Sequence, residues 1–126
     1  MKQHSSRFLN IVTETKKVIK EVTPQKLKEW LDLGEDLTII DVREKDELNS
    51  GIIPTAIHLS KGVIERDIEK KIADINTKIV VYCSGGFRCA LVAQNLQNMG
   101  YTNVYSLDSG VQGWIAAGYP LTTANE

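Results

Sequence analysis

Cysteine is scarce in this chain, net charge is nearly nil, and no long apolar run occurs. Its 126 residues include only two cysteines, Cys83 and Cys89. Two are too few for a disulfide framework or a four-ligand zinc site, so a reducing compartment is the expected home. Fifteen Lys and Arg stand against 16 Asp and Glu, a formal charge of -1. A nucleic-acid or acidic-membrane partner calls for a basic surplus, and neither is expected here. No stretch approaches the roughly 18–20 consecutive apolar residues of a membrane span. The opening MKQHSSRFLNIVTETKK has no apolar run long enough for a secretory signal, which makes a soluble cytoplasmic protein the expectation. Internal repeats, low-complexity tracts and interdomain linkers are also missing. A hydrophobic content of 42% supports one ordinary core and excludes a disordered chain.

What the chain does contain is an alternation of strand-like and helix-like segments. Residues 1–17 form an extension whose stretch 8–17 reads as a short helix, and 18–22 has strand composition. Thr23-Pro24 opens a helix, with a hydroxyl cap followed by proline where its missing N–H costs nothing. Leu27, Trp30 and Leu31 recur at helical spacing and Gly34 closes that helix. Residues 37–40 read as a buried strand ending at Asp41, and 44–48 as a short charged helix stopped by Asn49-Ser50-Gly51. A third strand falls at 56–59, after which Ser60 is placed to cap a helix running to about Ile72. Residues 79–82 form the fourth strand, a helix follows over 88–99, and 104–107 is the last strand before a helical turn carrying Trp114. Short strands separated by helices require crossover connections. The expected fold is therefore α/β, a three-layer sandwich with a central, mostly parallel five-stranded sheet flanked by helices. It occupies residues 18–121, with a C-terminal tail at 122–126.

In such folds ligands bind beyond the carboxyl ends of the strands. Cys83 stands at one of these ends, followed by Ser84-Gly85-Gly86-Phe87-Arg88 and then a helix. Two glycines let successive N–H groups converge into an anion-binding nest. The helix start adds unpaired N–H groups and a positive dipole end, and Arg88 adds a permanent charge. All three favour thiolate over thiol at Cys83, and a thiolate is a nucleophile. The same cradle suits an anionic substrate such as an oxyacid of sulfur.

Around that loop, Phe87 either walls the pocket or packs. Asp41 and Arg43 read as structural support, an Asp satisfying loop N–H groups and an Arg pairing with a carboxylate. Cys89 reads as a buried helix cysteine; its alternative is a thiol that resolves an oxidised or persulfidated Cys83. A fully helical i, i+6 pair stands too far apart for that bond, which needs Cα atoms ~4.4–6.8 Å apart. His58 reads as a core histidine and His4 as part of a mobile terminus.

Three stretches carry a family resemblance. Cys83-Ser84-Gly85-Gly86-Phe87-Arg88 fits the C-x-x-G-x-R loop of rhodanese-homology domains at every fixed position. IIDVREKDELNSGIIPTAIHLS resembles the family's D-V-R segment at Asp41, Val42, Arg43, Glu44, Gly51, Ile53, Pro54 and Ala56. MGYTNVYSLDSGVQGW resembles its closing segment at Gly100, Tyr101, Val104, Leu107, Gly110 and Trp114. Ile52, Thr55 and Ser109 depart from residues common in the family, and none lies in the cysteine loop. The resemblance implies a single-domain rhodanese acting as a sulfurtransferase. Cys83 would take a sulfane sulfur from thiosulfate or a persulfide and pass it, as a Cys83 persulfide, to a thiol or cyanide. Ser84, Gly85, Gly86, Phe87 and Arg88 would bind the substrate, with no metal or organic cofactor. Partners would be small-molecule donors and acceptors, or a persulfide-donating or thiol-accepting protein. Two alternatives stand beside this one: a non-catalytic rhodanese module used for binding, and a cysteine phosphatase, whose C-x-x-x-x-x-R loop is one residue longer.

Overall fold

The structure is a computed structural model that describes residues 4–124; Met1 to Gln3 of the expected extension and the last two residues of the expected tail lie outside the described residues. Five strands form one sheet: β1 (Lys20–Val22), β2 (Thr38–Asp41), β3 (Ile57–His58), β4 (Ile79–Tyr82) and β5 (Val104–Leu107). Their spatial order is β1-β5-β4-β2-β3 and every pairing is parallel. Helices α2 (Pro24–Asp32), α3 (Ile64–Lys71) and α4 (Arg88–Asn98) and a 3-10 helix over Lys45–Ser50 connect the strands, while α1 (Ser6–Lys16) precedes β1 and α5 (Gly110–Ala116) follows β5.

Local chemistry sets most of these limits. Thr23 accepts the Lys26 N–H at 3.1 Å and Pro24 begins α2, as the dipeptide dictates. Helix α4 ends in a Schellman motif, in which Tyr101 N–H donates to Leu96 O and Gly100 N–H to Gln97 O. Two departures have physical causes. Ser60 does not cap α3: Leu59 N–H bonds Asp41 O and Lys61 N–H bonds Val42 O, which ties the chain beside the end of β2 as far as Lys61; a turn closed by Val63 N–H on Ser60 O follows, and α3 begins only at Ile64. The charged segment after Arg43 winds as a 3-10 helix closed by a reciprocal Glu44–Glu47 capping box.

Both faces of the sheet are covered. Ile79, Val81 and Cys83 lie in one buried cluster with Ile64 and Ile68 of α3 and Val92, Ala93 and Leu96 of α4. Val80 and Tyr82 lie in the other, with Leu27 and Trp30 of α2 and Val111 and Trp114 of α5. This period-two alternation aims Cys83 at the α4 side of the sheet. Helix α1 lies outside α4, where Thr15 donates to Gln94 Oε1 at 2.9 Å. Past α5, Ile52 and Thr122 exchange two backbone hydrogen bonds of 2.8 Å. From β2 the chain steps to β3 on one side, and from β4 it steps to β5 on the other, so the sheet's switch point is the crevice at the carboxyl ends of β2 and β4.

Candidate active site

At that crevice β4 ends at Tyr82 and the next residue is Cys83, whose side chain is 1% exposed. Its Sγ accepts hydrogen bonds from Gly86 N–H at 3.2 Å and Cys89 N–H at 3.4 Å. The Cys89 sulfur lies 3.5 Å from it, and once Cys83 is ionised the Cys89 S–H is the partner that donates.

The loop takes this shape because its carbonyls are held elsewhere. Val111 N–H donates to Cys83 O at 2.9 Å, and Gln112 N–H to Ser84 O at 3.0 Å. Gln112 Nε2 also donates to Ser84 Oγ at 2.8 Å. With these carbonyls drawn to the first turn of α5, amides of the loop are free to turn toward the sulfur. The approach is too close for side chains: a Cβ on Gly86 (φ +97°) would collide with the Asp108 carbonyl, and one on Gly110 (φ +64°) with the Ser84 carbonyl. Glycine at both positions is a steric requirement.

These donors settle the charge on the sulfur. The Cys89 S–H, then the Cys89 and Gly86 amides, then the Arg88 charge pull the Cys83 thiol below its ordinary range, against the effect of burial. Burial and the neighbouring Cys83 sulfur push Cys89 the other way, while Ser106 Oγ–H donates to its sulfur at 3.1 Å. Of the two thiols, Cys83 is the one that ionises and Cys89 the one that keeps its proton.

Arg88 does not stand free. Its guanidinium grips Glu47 of the 3-10 helix with two bonds of 2.8 and 2.9 Å, and that pairing holds the Glu47 carboxyl down to about 2. Asp41 and Arg43 form a buried pair one strand away, with Arg43 Nη2 2.7 Å from Asp41 Oδ2 and 2.9 Å from Gly51 O. The Arg43 amide also donates to Asp41 Oδ1 at 2.9 Å. This knot fixes the backbone after β2, in register with Tyr82 just before Cys83.

Phe87 is half-buried at the loop's edge. The His4 ring lies 4.7 Å and the Phe8 ring 6.2 Å from its ring, with Lys16 Nζ 5.8 Å from its centre. His4 is therefore packed beside the loop and is not part of a mobile terminus. His58 is also not a core residue: it is exposed on edge strand β3, with Nε2 2.7 Å from Arg43 O. Four residues that the sequence reading did not single out, Glu47, Ser106, Gln112 and Phe8, reach the site from remote elements, and no local pattern marks them. Among the described residues no group of three or more His, Cys, Asp or Glu could hold a metal ion.

Fold and site together define an α/β protein built around a buried cysteine at a strand end whose sulfur accepts hydrogen bonds from two backbone amides. The profile of the rhodanese-like domain family matches residues 23–117. The thiosulfate sulfurtransferase GlpE of Coxiella burnetii is 37% identical over 91 residues, covering 72% of this chain and 82% of its own. A solved thiosulfate sulfurtransferase from Pseudomonas aeruginosa superposes with a TM-score of 0.84 at 25% identity, covering 95% of this chain and 23% of that one. A Rhodopseudomonas palustris protein described as of unknown function and a "Possible Tyrosine Phosphatase" superposes with a TM-score of 0.82 at 27% identity, covering 97% and 99%. This chain belongs to the rhodanese-like domain family and is a rhodanese-type sulfurtransferase. Thr55, where that family commonly has glycine, adopts a left-handed φ of +73°. The backbone there asks for glycine, and a β-branched residue stores strain.

Proposed function

We propose that Cys83 carries the transferred sulfur. Its thiolate attacks the outer sulfur of an anionic donor such as thiosulfate; the S–S bond of the donor breaks, sulfite leaves with the bonding pair, and a Cys83 persulfide remains. An acceptor nucleophile, a thiol or cyanide, then attacks the outer sulfur of the persulfide and returns Cys83 to the thiolate. Amides of the 84–88 loop hold the anion, and the fixed dipoles stabilise charge on sulfur without rearranging as it moves. Arg88 contributes its charge at the edge of the loop, moderated by Glu47. Asp41 and Arg43 act through the backbone they brace. A persulfide-donating protein would serve as donor by the same chemistry, and a thiol-bearing protein as acceptor.

The observation that carries this reading is the convergence of the Gly86 and Cys89 amides on Cys83 Sγ, with the Cys89 thiol 3.5 Å away as a third donor to the thiolate. They supply a nucleophile at neutral pH without a neighbouring base. The test is the intact mass after thiosulfate treatment of a Cys89→Ser protein, in which Cys83 is the remaining thiol. A gain of one sulfur atom, reversed by cyanide and lost on changing Cys83 to Ala, is expected. No gain would overturn the reading. A phosphatase activity is the competing use of a thiolate loop, and the Rhodopseudomonas palustris neighbour gives it some support. The loop here has one residue fewer than the phosphatase pattern, which narrows the ring of amides below what a tetrahedral phosphoryl group needs. Hydrolysis of para-nitrophenyl phosphate with no sulfur uptake would reverse the preference.

A further inference from the structure

Beneath the loop lies a second thiol that the transfer cycle does not consume. Cys89 is fully buried, and its sulfur is 3.5 Å from Cys83 Sγ. That separation is within the ~3–3.5 Å of a near-attack contact. The helical-spacing objection does not apply, because Cys83 precedes α4 at a strand end and the loop folds back over the start of the helix. The other polar neighbours of the Cys89 sulfur are Ser106 Oγ–H at 3.1 Å, which donates to it, and Leu107 O at 3.7 Å. A hydroxyl donor of this kind stabilises negative charge on Cys89 as its proton departs.

We propose that Cys89 is a resolving thiol, giving the protein a second activity: release of the bound sulfane sulfur as sulfide. The proposal rests on the Cys83 persulfide described above. Cys89 gives its proton to the outer sulfur of the persulfide anion and its sulfur electron pair to Cys83 Sγ. The bond from Sγ to the outer sulfur breaks, HS⁻ leaves, and a Cys83–Cys89 disulfide closes. The sulfane sulfur is itself the oxidant, reduced to sulfide while the two cysteines reach the disulfide level, so charge and electrons balance without an outside oxidant. A dithiol reductant then restores both thiols by exchange. Cyanide or an external thiol competes with Cys89 for the same persulfide, so the acceptor concentration decides between transfer and sulfide release.

The experiment uses the whole protein, reduced, freed of reductant and kept anaerobic, mixed with thiosulfate and no acceptor. Wild type is expected to release up to one sulfide per chain at a sulfide electrode and to lose the mass of two hydrogens. Trypsin cuts after Arg88, between the two cysteines, so peptides 79–88 and 89–126 should emerge joined until reduced. Cys89→Ser should keep the added sulfur and release no sulfide. Wild type that keeps the added sulfur, with separate peptides and no sulfide, overturns the inference while leaving the persulfide intact. Failure of both proteins to gain or release sulfur overturns the persulfide reading as well. Because the wild-type arm decides by itself, a poorly folding variant does not obscure the answer.

Discussion

Replacing Cys89 by alanine deletes one of three hydrogen bonds to the Cys83 sulfur and leaves the Gly86 amide in place. A hydrogen bond to a charged group contributes about 1.5–3 kcal/mol, and an S–H donor belongs at the low end. With 1.36 kcal/mol per pKa unit, the midpoint for ionising Cys83 should rise by about one pH unit. The assay is the rate of iodoacetamide alkylation against pH, followed on peptide 79–88 in wild type and on the whole chain in the variant, whose one thiol is Cys83. Rates fall as pH drops through the midpoint, because the thiolate is the reacting form. Below both midpoints the variant should react about tenfold more slowly, and above both the curves should meet. Cys89→Ser keeps a donor and should restore most of the lowering. The sign for stability follows from the depressed thiol: wild type should gain stability as pH rises from the folded midpoint toward the unfolded thiol value of ~8.5, and lose it on the way down. An alanine variant whose midpoint coincides with wild type would show that the amides alone ionise Cys83 and that the thiol pair is incidental.

Asp41→Ala strands the buried Arg43 guanidinium and should cost about 3–5 kcal/mol by urea unfolding; a loss below about 1 kcal/mol would mean water reaches that charge. Gly86→Ala forces a side chain against the Asp108 carbonyl at positive φ and shifts an amide that holds the sulfur, so stability should fall by roughly 2 kcal/mol or more and neutral-pH alkylation should slow with it. Thr55→Gly relieves a left-handed backbone and should stabilise by about 1 kcal/mol, a rise in urea midpoint without a change in slope. Glu47→Gln weakens the hold on Arg88; if that guanidinium helps bind the donor, KM for thiosulfate should drop by about fivefold, roughly 1 kcal/mol, with kcat little changed. An unchanged or higher KM would leave Arg88 with a purely structural task.

Much of the architecture is written locally. The run Ile79–Tyr82 is apolar on both faces because the strand is covered on both faces, and Thr23-Pro24 starts α2 through a cap that needs no distant partner. The cysteine loop is similarly explicit, since two glycines between a strand and a helix specify a turn that few other residues can make. Ser60 shows the limit of such reasoning. It has the right chemistry for a cap, yet bonds from the neighbouring strand outcompete it.

From its sequence alone this chain declares a parallel α/β sheet, a thiol at a strand end and a loop of amides, because each depends on residues adjacent along the backbone. Tertiary structure decided what surrounds the thiol. Only folding brings Glu47 onto Arg88 and Ser106 onto Cys89, sets the first turn of α5 against the loop carbonyls, and places His4 beside Phe87. It also halted the Cys83–Cys89 pair at 3.5 Å, a distance that six-residue spacing in a helix would forbid and a strand-loop-helix corner produces. Hydrogen bonds and charge act over a few ångströms of space, and separation along the chain says little about that distance once the backbone has turned.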